Sequence, residues 1–223
     1  MPKKLGLSNT KGTRKGTRKN GSKPFIIEFA GPPKSGKTTI IERVKYQIPY
    51  SFTIVKEVSL DSPVPKNKTL KYMEWSANEL INKLIFIEEM IKKEIILVDC
   101  GIISQLALLE AFKQSNKVND RELVFYELIK NHLLLNLKRE DLVVYVRLDP
   151  EVEIQRIKHY KFPKGVIINE SSLKVFNQSY ERIINNIIEE KSLRVIIVNG
   201  NEDPESNANL VSQEIIKIMR KQK

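Results

Sequence analysis

Residues 25–39 read Phe-Ile-Ile-Glu-Phe-Ala-Gly-Pro-Pro-Lys-Ser-Gly-Lys-Thr-Thr, and this stretch decides the fold. Its apolar first half predicts a short buried strand, and residues 31–38 match the pattern G-x-x-x-x-G-K-[ST]. The apolar periodicity that follows predicts a helix over 38–48, which ends before Pro49. A strand, a glycine-containing loop and a helix in this order indicate a phosphate-binding loop.

The chemistry of this loop follows from its residue types. Backbone N–H groups of residues 35–39 point into one concavity and meet phosphate oxygens, with the positive end of the helix behind them. We expect Lys37 to reach the β- and γ-phosphates and the Thr38 hydroxyl to ligate magnesium. The sequence therefore predicts that ATP (or GTP) binds with Mg²⁺. The predicted nucleotide-binding residues are Gly31, Pro32, Pro33, Lys34, Ser35, Gly36, Lys37, Thr38 and Thr39.

Two acids are candidates for the rest of the site. An apolar strand over 94–99 ends in Asp99, the Walker-B arrangement, which predicts that Asp99 holds the metal together with Thr38. Glu57 follows the second predicted strand, at 52–55, where a carboxylate could take the proton from an attacking hydroxyl. A solvated loop acid is the alternative for Glu57.

A basic run around Arg156 is a candidate lid over the phosphates, at about 156–169. Arg156 could stabilise negative charge on a transferring group, and a solvated helix face is the alternative. Glu28 interrupts the apolar first strand, and it is either a satisfied structural acid or a residue that orders the loop.

Alternating strand and helix patterns continue to the end of the chain. They predict a parallel sheet covered by helices on both faces, a three-layer α/β/α arrangement. The predicted strands span 25–30, 52–55, 94–99, 142–148 and 194–198, and the predicted helices span 38–48, 70–92, 102–114, 121–138, 150–160, 173–191 and 204–221. Asp120 is the predicted cap of the fourth helix. The functional side chains should lie at the carboxyl ends of the strands.

The first 23 residues differ in composition from the domain at 24–223. They carry eight of the basic residues and no acid, with a tandem Lys-Gly-Thr-Arg repeat at 11–18, out of a net charge of +11 for the whole chain. Such a tail cannot bury enough apolar surface to offset chain entropy. It is predicted to be a disordered, solubilising arm or an arm that contacts nucleic acid.

The remaining composition excludes several classes of protein. No apolar run is long enough for a membrane span, and the N-terminus lacks the apolar stretch of a signal peptide. The single cysteine, Cys100, excludes an internal disulfide framework. These features predict a soluble cytoplasmic protein.

The chain resembles the thymidylate kinase and deoxynucleoside kinase group of P-loop kinases. The resemblance rests on residues 25–39, on Glu57, on Val-Asp-Cys-Gly at 98–101, and on Leu-Val-Val-Tyr-Val-Arg-Leu-Asp-Pro-Glu at 142–151 with the Ile-Gln-Arg-Ile-Lys run at 154–158. It implies the P-loop NTPase fold with sheet order 2-3-1-4-5 and Mg-ATP as donor. It also implies a nucleoside or nucleotide acceptor held between Glu57 and the long second helix, and a possible homodimer. Cys100 stands where the family usually has arginine.

Three functions fit these features. The favoured one is a kinase in which Lys37, Glu57, Asp99 and Arg156 transfer the γ-phosphate to a small-molecule hydroxyl or phosphate. The second is an ATPase or nucleotide switch that acts on nucleic acid or a protein partner through the basic tail. The third is a kinase-like protein that binds ATP without transferring phosphate.

Overall fold

Five strands alternate with seven helices in the part of the chain that the computed structural model describes, which is residues 23–65, 69–91, 94–115, 119–158 and 170–221. The strands are β1 (Phe25–Ala30), β2 (Phe52–Val55), β3 (Ile95–Asp99), β4 (Leu142–Arg147) and β5 (Arg194–Asn199). The helices are α1 (Lys37–Gln47), α2 (Thr69–Met90), α3 (Ile102–Ser115), α4 (Asp120–Leu137), α5 (Pro150–Lys158), α6 (Glu170–Glu190) and α7 (Pro204–Lys221). A short 3₁₀ turn, Val58–Asp61, follows β2.

The strands form one parallel sheet in the order β2-β3-β1-β4-β5, which confirms the predicted topology. β1 lies at the centre, and Phe29 near its end pairs with Asp99 of β3 and Val144 of β4. The carboxyl ends of these strands therefore meet at one edge of the sheet, where the loop after β1 begins.

Apolar side chains of β1 point alternately to the two faces of the sheet. Ile27 packs in a cluster with α1 and α7, whereas Ile26 packs in a cluster with α2, α3 and α4. Both isoleucines are fully buried, and burial of such a side chain contributes about 1.5–3 kcal/mol. Burial on both faces explains the continuous apolar run of this strand. Across the described ranges, none of the helices combines the length and apolarity that crossing a membrane requires.

Several element ends differ from the predictions by one to a few residues. The cap of α4 is Asn119, and Asp120 is the first helical residue, so the predicted Asp120 cap is wrong. The Asn119 side chain accepts a hydrogen bond from the Glu122 backbone N–H at 3.0 Å, and the Glu122 carboxylate accepts one from the Asn119 N–H at 3.1 Å. This reciprocal pair is a capping box, which requires an acid three residues after the cap. Asn119 meets that requirement through Glu122.

Candidate functional site

The loop between β1 and α1 is shaped by two glycines with positive φ. Gly31 has φ +147°, and a Cβ there would lie 2.4 Å from the carbonyl oxygen of Val146 in β4. Gly36 has φ +102° and is the N-cap of α1. The first glycine is thus required by the close approach of two backbones as well as by its conformation. The loop is held against the centre of the sheet.

Lys37 is buried and folds back over the loop. Its Nζ donates hydrogen bonds to the carbonyl oxygens of Gly31 and Pro32, each at 2.8 Å, and contacts Ser35 Oγ at 3.5 Å. The ammonium group therefore lies inside the concavity that the loop forms. Phosphate oxygens entering this concavity would meet a positive charge that the loop has already positioned.

Thr38 and Asp99 come together as the sequence predicts. Thr38 Oγ1 donates a hydrogen bond of 2.6 Å to Asp99 Oδ2. Burial raises the pKa of Asp99, and the charge of Lys37 and the bond from Thr38 oppose this rise. A hydroxyl and a carboxylate are hard oxygen donors of the kind that Mg²⁺ prefers. The pair is therefore suited to hold the metal of a metal–nucleotide complex.

A second group of side chains lies between β2, β3 and α2. Glu57 follows β2 and accepts a hydrogen bond from Ser59 Oγ. Burial, with the nearby Glu57 carboxylate, raises the pKa of Tyr72 to about 12, and a hydrogen bond with Ser59 opposes this rise. Glu57 therefore lies beside a buried tyrosine on the long helix, on the side of the site where the resemblance places an acceptor.

Cys100 directly follows Asp99, the last residue of β3. It has a left-handed backbone, φ +62°, and its N–H donates to the Phe29 carbonyl at 3.2 Å. Its Sγ lies 3.8 Å from Asp99 Oδ1, and burial raises the pKa of the thiol well above its usual range. The thiol is therefore neutral, so this position contributes no positive charge.

Arg156 joins α5 to the phosphate-binding loop. Its guanidinium donates to the carbonyl oxygens of Lys34 and Gly200, each at 3.0 Å. Gly200 follows β5, and a Cβ there would lie 2.8 Å from the carbonyl oxygens of Arg147 and Ser35. Arg156 and Gly200 thus bring the loop after β5 against the phosphate-binding loop. Of the lid predicted at about 156–169, residues 156–158 are the end of α5, and residues 159–169 lie outside the described residues.

The remaining residues of the loop have different exposures. Pro32 and Ser35 are buried, and the Ser35 N–H donates to the Pro32 carbonyl at 3.3 Å. Lys34 is exposed, with φ +60°, and Thr39 is exposed at the start of α1. Pro33 lies between them, half-buried. Six of the nine predicted residues, 31–36, therefore form the loop, and Lys37, Thr38 and Thr39 begin α1.

Glu28 is a structural acid, one of the two roles considered from the sequence. Its fully buried carboxylate accepts hydrogen bonds from the N–H groups of Ile103 and Ser104 at 2.8 and 2.9 Å, and from Ser104 Oγ at 2.8 Å. Glu140, which sequence reasoning missed, accepts from the Ile102 N–H at 3.0 Å. Two acids thus cap α3 and fix the segment that follows Asp99.

A buried polar pair on α2 and α3 was also missed. Ser76 Oγ lies 2.8 Å from Gln105 Oε1, and both side chains are buried among apolar neighbours. On the same two helices, Met73 and Leu106 belong to the surrounding cluster. The position of Ser76 on the same face of α2 as Tyr72 could be predicted from the sequence, because residues i and i+4 of a helix share a face. Gln105 could be found only from the packing of α3 against α2.

A profile of the deoxynucleoside kinase family matches residues 27–221. The chain belongs to the deoxynucleoside kinase family. Family membership makes the protein a P-loop phosphotransferase, as the sequence predicts, and of the nucleoside or nucleotide acceptors that the sequence left open it indicates a nucleoside kinase. Among curated proteins, none matches the sequence significantly.

The solved structures similar to this kinase include three of deoxyadenosine kinase from M. mycoides. One holds the products dCMP and a flexible dCDP, at 19% identity and TM-score 0.70, over 87% of this chain and 100% of that chain. One holds dCTP, at 19% identity and TM-score 0.71, over 86% of this chain and 100% of that chain. One holds dATP, at 20% identity and TM-score 0.70, over 86% of this chain and 99% of that chain. These matches show the shared fold.

Proposed function

We propose that this kinase transfers the γ-phosphate of Mg-ATP to a hydroxyl of a deoxynucleoside. The observation that carries this proposal is the charge of the acceptor region. The described side chains of this region include Glu57, Ser59, Tyr72 and Cys100. Among the described residues, the positive charge that acts on Cys100 is that of Lys37. A monophosphate acceptor would bring a second dianion into a region that holds carboxylates and a neutral thiol. A neutral nucleoside avoids that repulsion.

The proposed mechanism assigns a role to each site residue. Glu57 accepts the proton of the attacking hydroxyl, and the neighbouring Tyr72 orients the acceptor against it. Lys37 and the loop N–H groups hold the phosphates and neutralise charge as it shifts to the leaving oxygen. Thr38 and Asp99 would hold Mg²⁺, which supplies further charge neutralisation at the phosphates. Arg156 keeps the loop in place through the Lys34 carbonyl.

Transfer of labelled phosphate from ATP to a panel of nucleosides and nucleoside monophosphates tests the proposal. We expect label on deoxynucleosides, and we expect Glu57→Gln to lower kcat by about 10²–10⁴-fold with unchanged ATP affinity. Glu74→Gln is the matched control, because Glu74 is exposed on α2. Label on monophosphates alone would support the thymidylate kinase-like alternative.

ATP hydrolysis without transfer, stimulated by nucleic acid, would support the alternative of a switch. That alternative depends on the basic tail, and residues 1–22 of the tail lie outside the described residues. Deleting residues 1–23 should leave a nucleoside kinase active and weaken a nucleic-acid-dependent ATPase. Comparing the activity of the full chain with that of the deletion variant therefore distinguishes a nucleoside kinase from a nucleic-acid-dependent ATPase.

We also propose that the kinase is a homodimer through one face of α4. Val124, Phe125, Leu128 and Leu135 are 49–70% exposed and recur at helical spacing on that face. An exposed apolar stripe of this kind pairs well with its own copy about a two-fold axis. Sedimentation velocity should show a dimer, and Leu128→Asp should convert it to a folded monomer. A wild-type monomer at micromolar concentration would contradict the proposal.

A further inference from the structure

Glu153 of α5 is a buried acid that the proposed mechanism does not use. It has 0% exposure, and its Oε2 accepts a hydrogen bond from Asn177 Nδ2 of α6. Its Oε1 is buried and has no hydrogen-bond partner within the described ranges. An ionised carboxylate with an unpaired buried oxygen is costly. The structure around Glu153 therefore favours its neutral form.

The position of Glu153 connects it to the phosphate-binding loop. Arg156, one helical turn further along α5, donates to the Lys34 carbonyl in that loop. The charge of Lys37 reaches Glu153 and favours its ionised form. The acid is thus buried one helical turn from a residue that contacts the phosphate-binding loop.

Few groups control the charge of Glu153. Burial raises its pKa to about 7, and the Asn177 hydrogen bond and the Lys37 charge oppose the rise. Asn177 is a neutral amide, and Glu181 on the same helix α6 is already bonded to Arg147 and Tyr145. Within the described residues, Lys37 is therefore the charge at Glu153 that a bound ligand would change.

We propose that Glu153 takes up one proton when a nucleoside triphosphate occupies the phosphate-binding loop. The phosphate oxygens pair with Lys37 and bring negative charge to the loop, which offsets the field that favours ionised Glu153. The proton comes from the solvent and binds Glu153 Oε1. This proposal rests on the proposed nucleotide binding.

The linkage has a defined sign. Because the bound form holds the extra proton, triphosphate affinity is greatest at low pH and falls as the pH rises above the pKa of free Glu153. Between the free and bound pKa values the fall approaches about tenfold per pH unit. A Glu153→Gln variant cannot take up the proton, so this part of its pH dependence should be lost.

Isothermal titration calorimetry measures how many protons the protein takes up when the nucleotide binds. A non-hydrolysable ATP analogue with magnesium is titrated into the protein at about pH 7.5 in two buffers of different ionisation enthalpy, for wild type and Glu153→Gln. The difference between the two proteins cancels protons that the analogue itself exchanges. We expect the wild type to take up about half a proton more than Glu153→Gln. Glu151→Gln, on an exposed residue of the same helix, should match the wild type.

Equal proton counts for the wild type and Glu153→Gln would overturn the proposal, although binding heat would still be present. Absence of any binding heat would instead refute nucleotide binding at the loop. If Glu153→Gln does not fold, a carbon-13 titration of the Glu153 carboxyl in the wild type takes its place. A midpoint that rises when the analogue binds supports the linkage, and an unchanged midpoint overturns it.

Discussion

Gly200→Ala tests how tightly the loop after β5 supports the phosphate-binding loop. The Gly200 N–H donates to the Arg147 carbonyl at 2.6 Å, and its carbonyl accepts from Arg156 at 3.0 Å. An added Cβ would lie 2.8 Å from the carbonyl oxygens of both Arg147 and Ser35. Both are backbone atoms, so neither can turn away as a flexible side chain would.

The size of the effect follows from these distances. Ordinary Cβ contacts begin at 3.4 Å, so the backbones must separate by about 0.6 Å. Overpacking of this kind costs about 1–3 kcal/mol. For a domain of about 200 residues, that loss lowers Tm by roughly 2–12 °C. The Ser35 carbonyl belongs to the phosphate-binding loop, so we also expect triphosphate affinity to fall by about tenfold.

Thermal unfolding with and without a non-hydrolysable ATP analogue measures both effects. Asn201→Ala is the control, because Asn201 is the next residue, is exposed, and its side chain donates one surface hydrogen bond to Asp149. Its Tm and its stabilisation by the analogue should stay close to those of the wild type. If Gly200→Ala melts and binds like the wild type, the close approach of the two loops does not support the site.

Two further substitutions test other parts of the site. Lys37→Ala should abolish transfer and weaken triphosphate binding by at least about 10²-fold while circular dichroism stays native, because the loop loses its buried cation. Glu140→Gln should stabilise the protein at about pH 8 and lose that advantage near pH 5. Burial and the adjacent Glu28 raise the pKa of Glu140, so the folded wild type binds a proton that the unfolded chain has already lost. The unfolding free energy of the wild type therefore falls by up to about 1.4 kcal/mol per pH unit as the pH rises from the unfolded to the folded pKa of Glu140. If the chemical-denaturation curves of Glu140→Gln and the wild type coincide at both pH values, the Glu140 prediction is wrong.

The sequence allowed prediction of features that depend on neighbouring residues. The phosphate-binding loop is one continuous motif, and Asp99 ends an apolar strand whose burial on both faces is visible in its composition. Sheet order came from the resemblance to known kinases, because strand alternation predicts a parallel sheet and leaves the order of its strands open. The observed order then brings Asp99 to Thr38.

Features that join distant parts of the chain could not be predicted in the same way. Glu28 and Glu140 both cap α3, and Gly200 packs on Ser35, yet nothing in the local sequence links the members of either pair. The cap of α4 was misassigned for a different reason. Asn119 and Asp120 are adjacent residues of equal capping propensity, and only the distance to Glu122 distinguishes them.

The central position of β1 has a consequence for synthesis on the ribosome. The loop after β1 emerges early, but the backbone that packs against Gly31 belongs to β4, and the turn that packs against Ser35 follows β5. A nascent chain that stops before residue 142 therefore lacks half of β1's strand partners. Pairing between strands so far apart in sequence is slow to form. The kinase consequently acquires the shape of its donor site only after the chain up to Gly200 has left the exit tunnel.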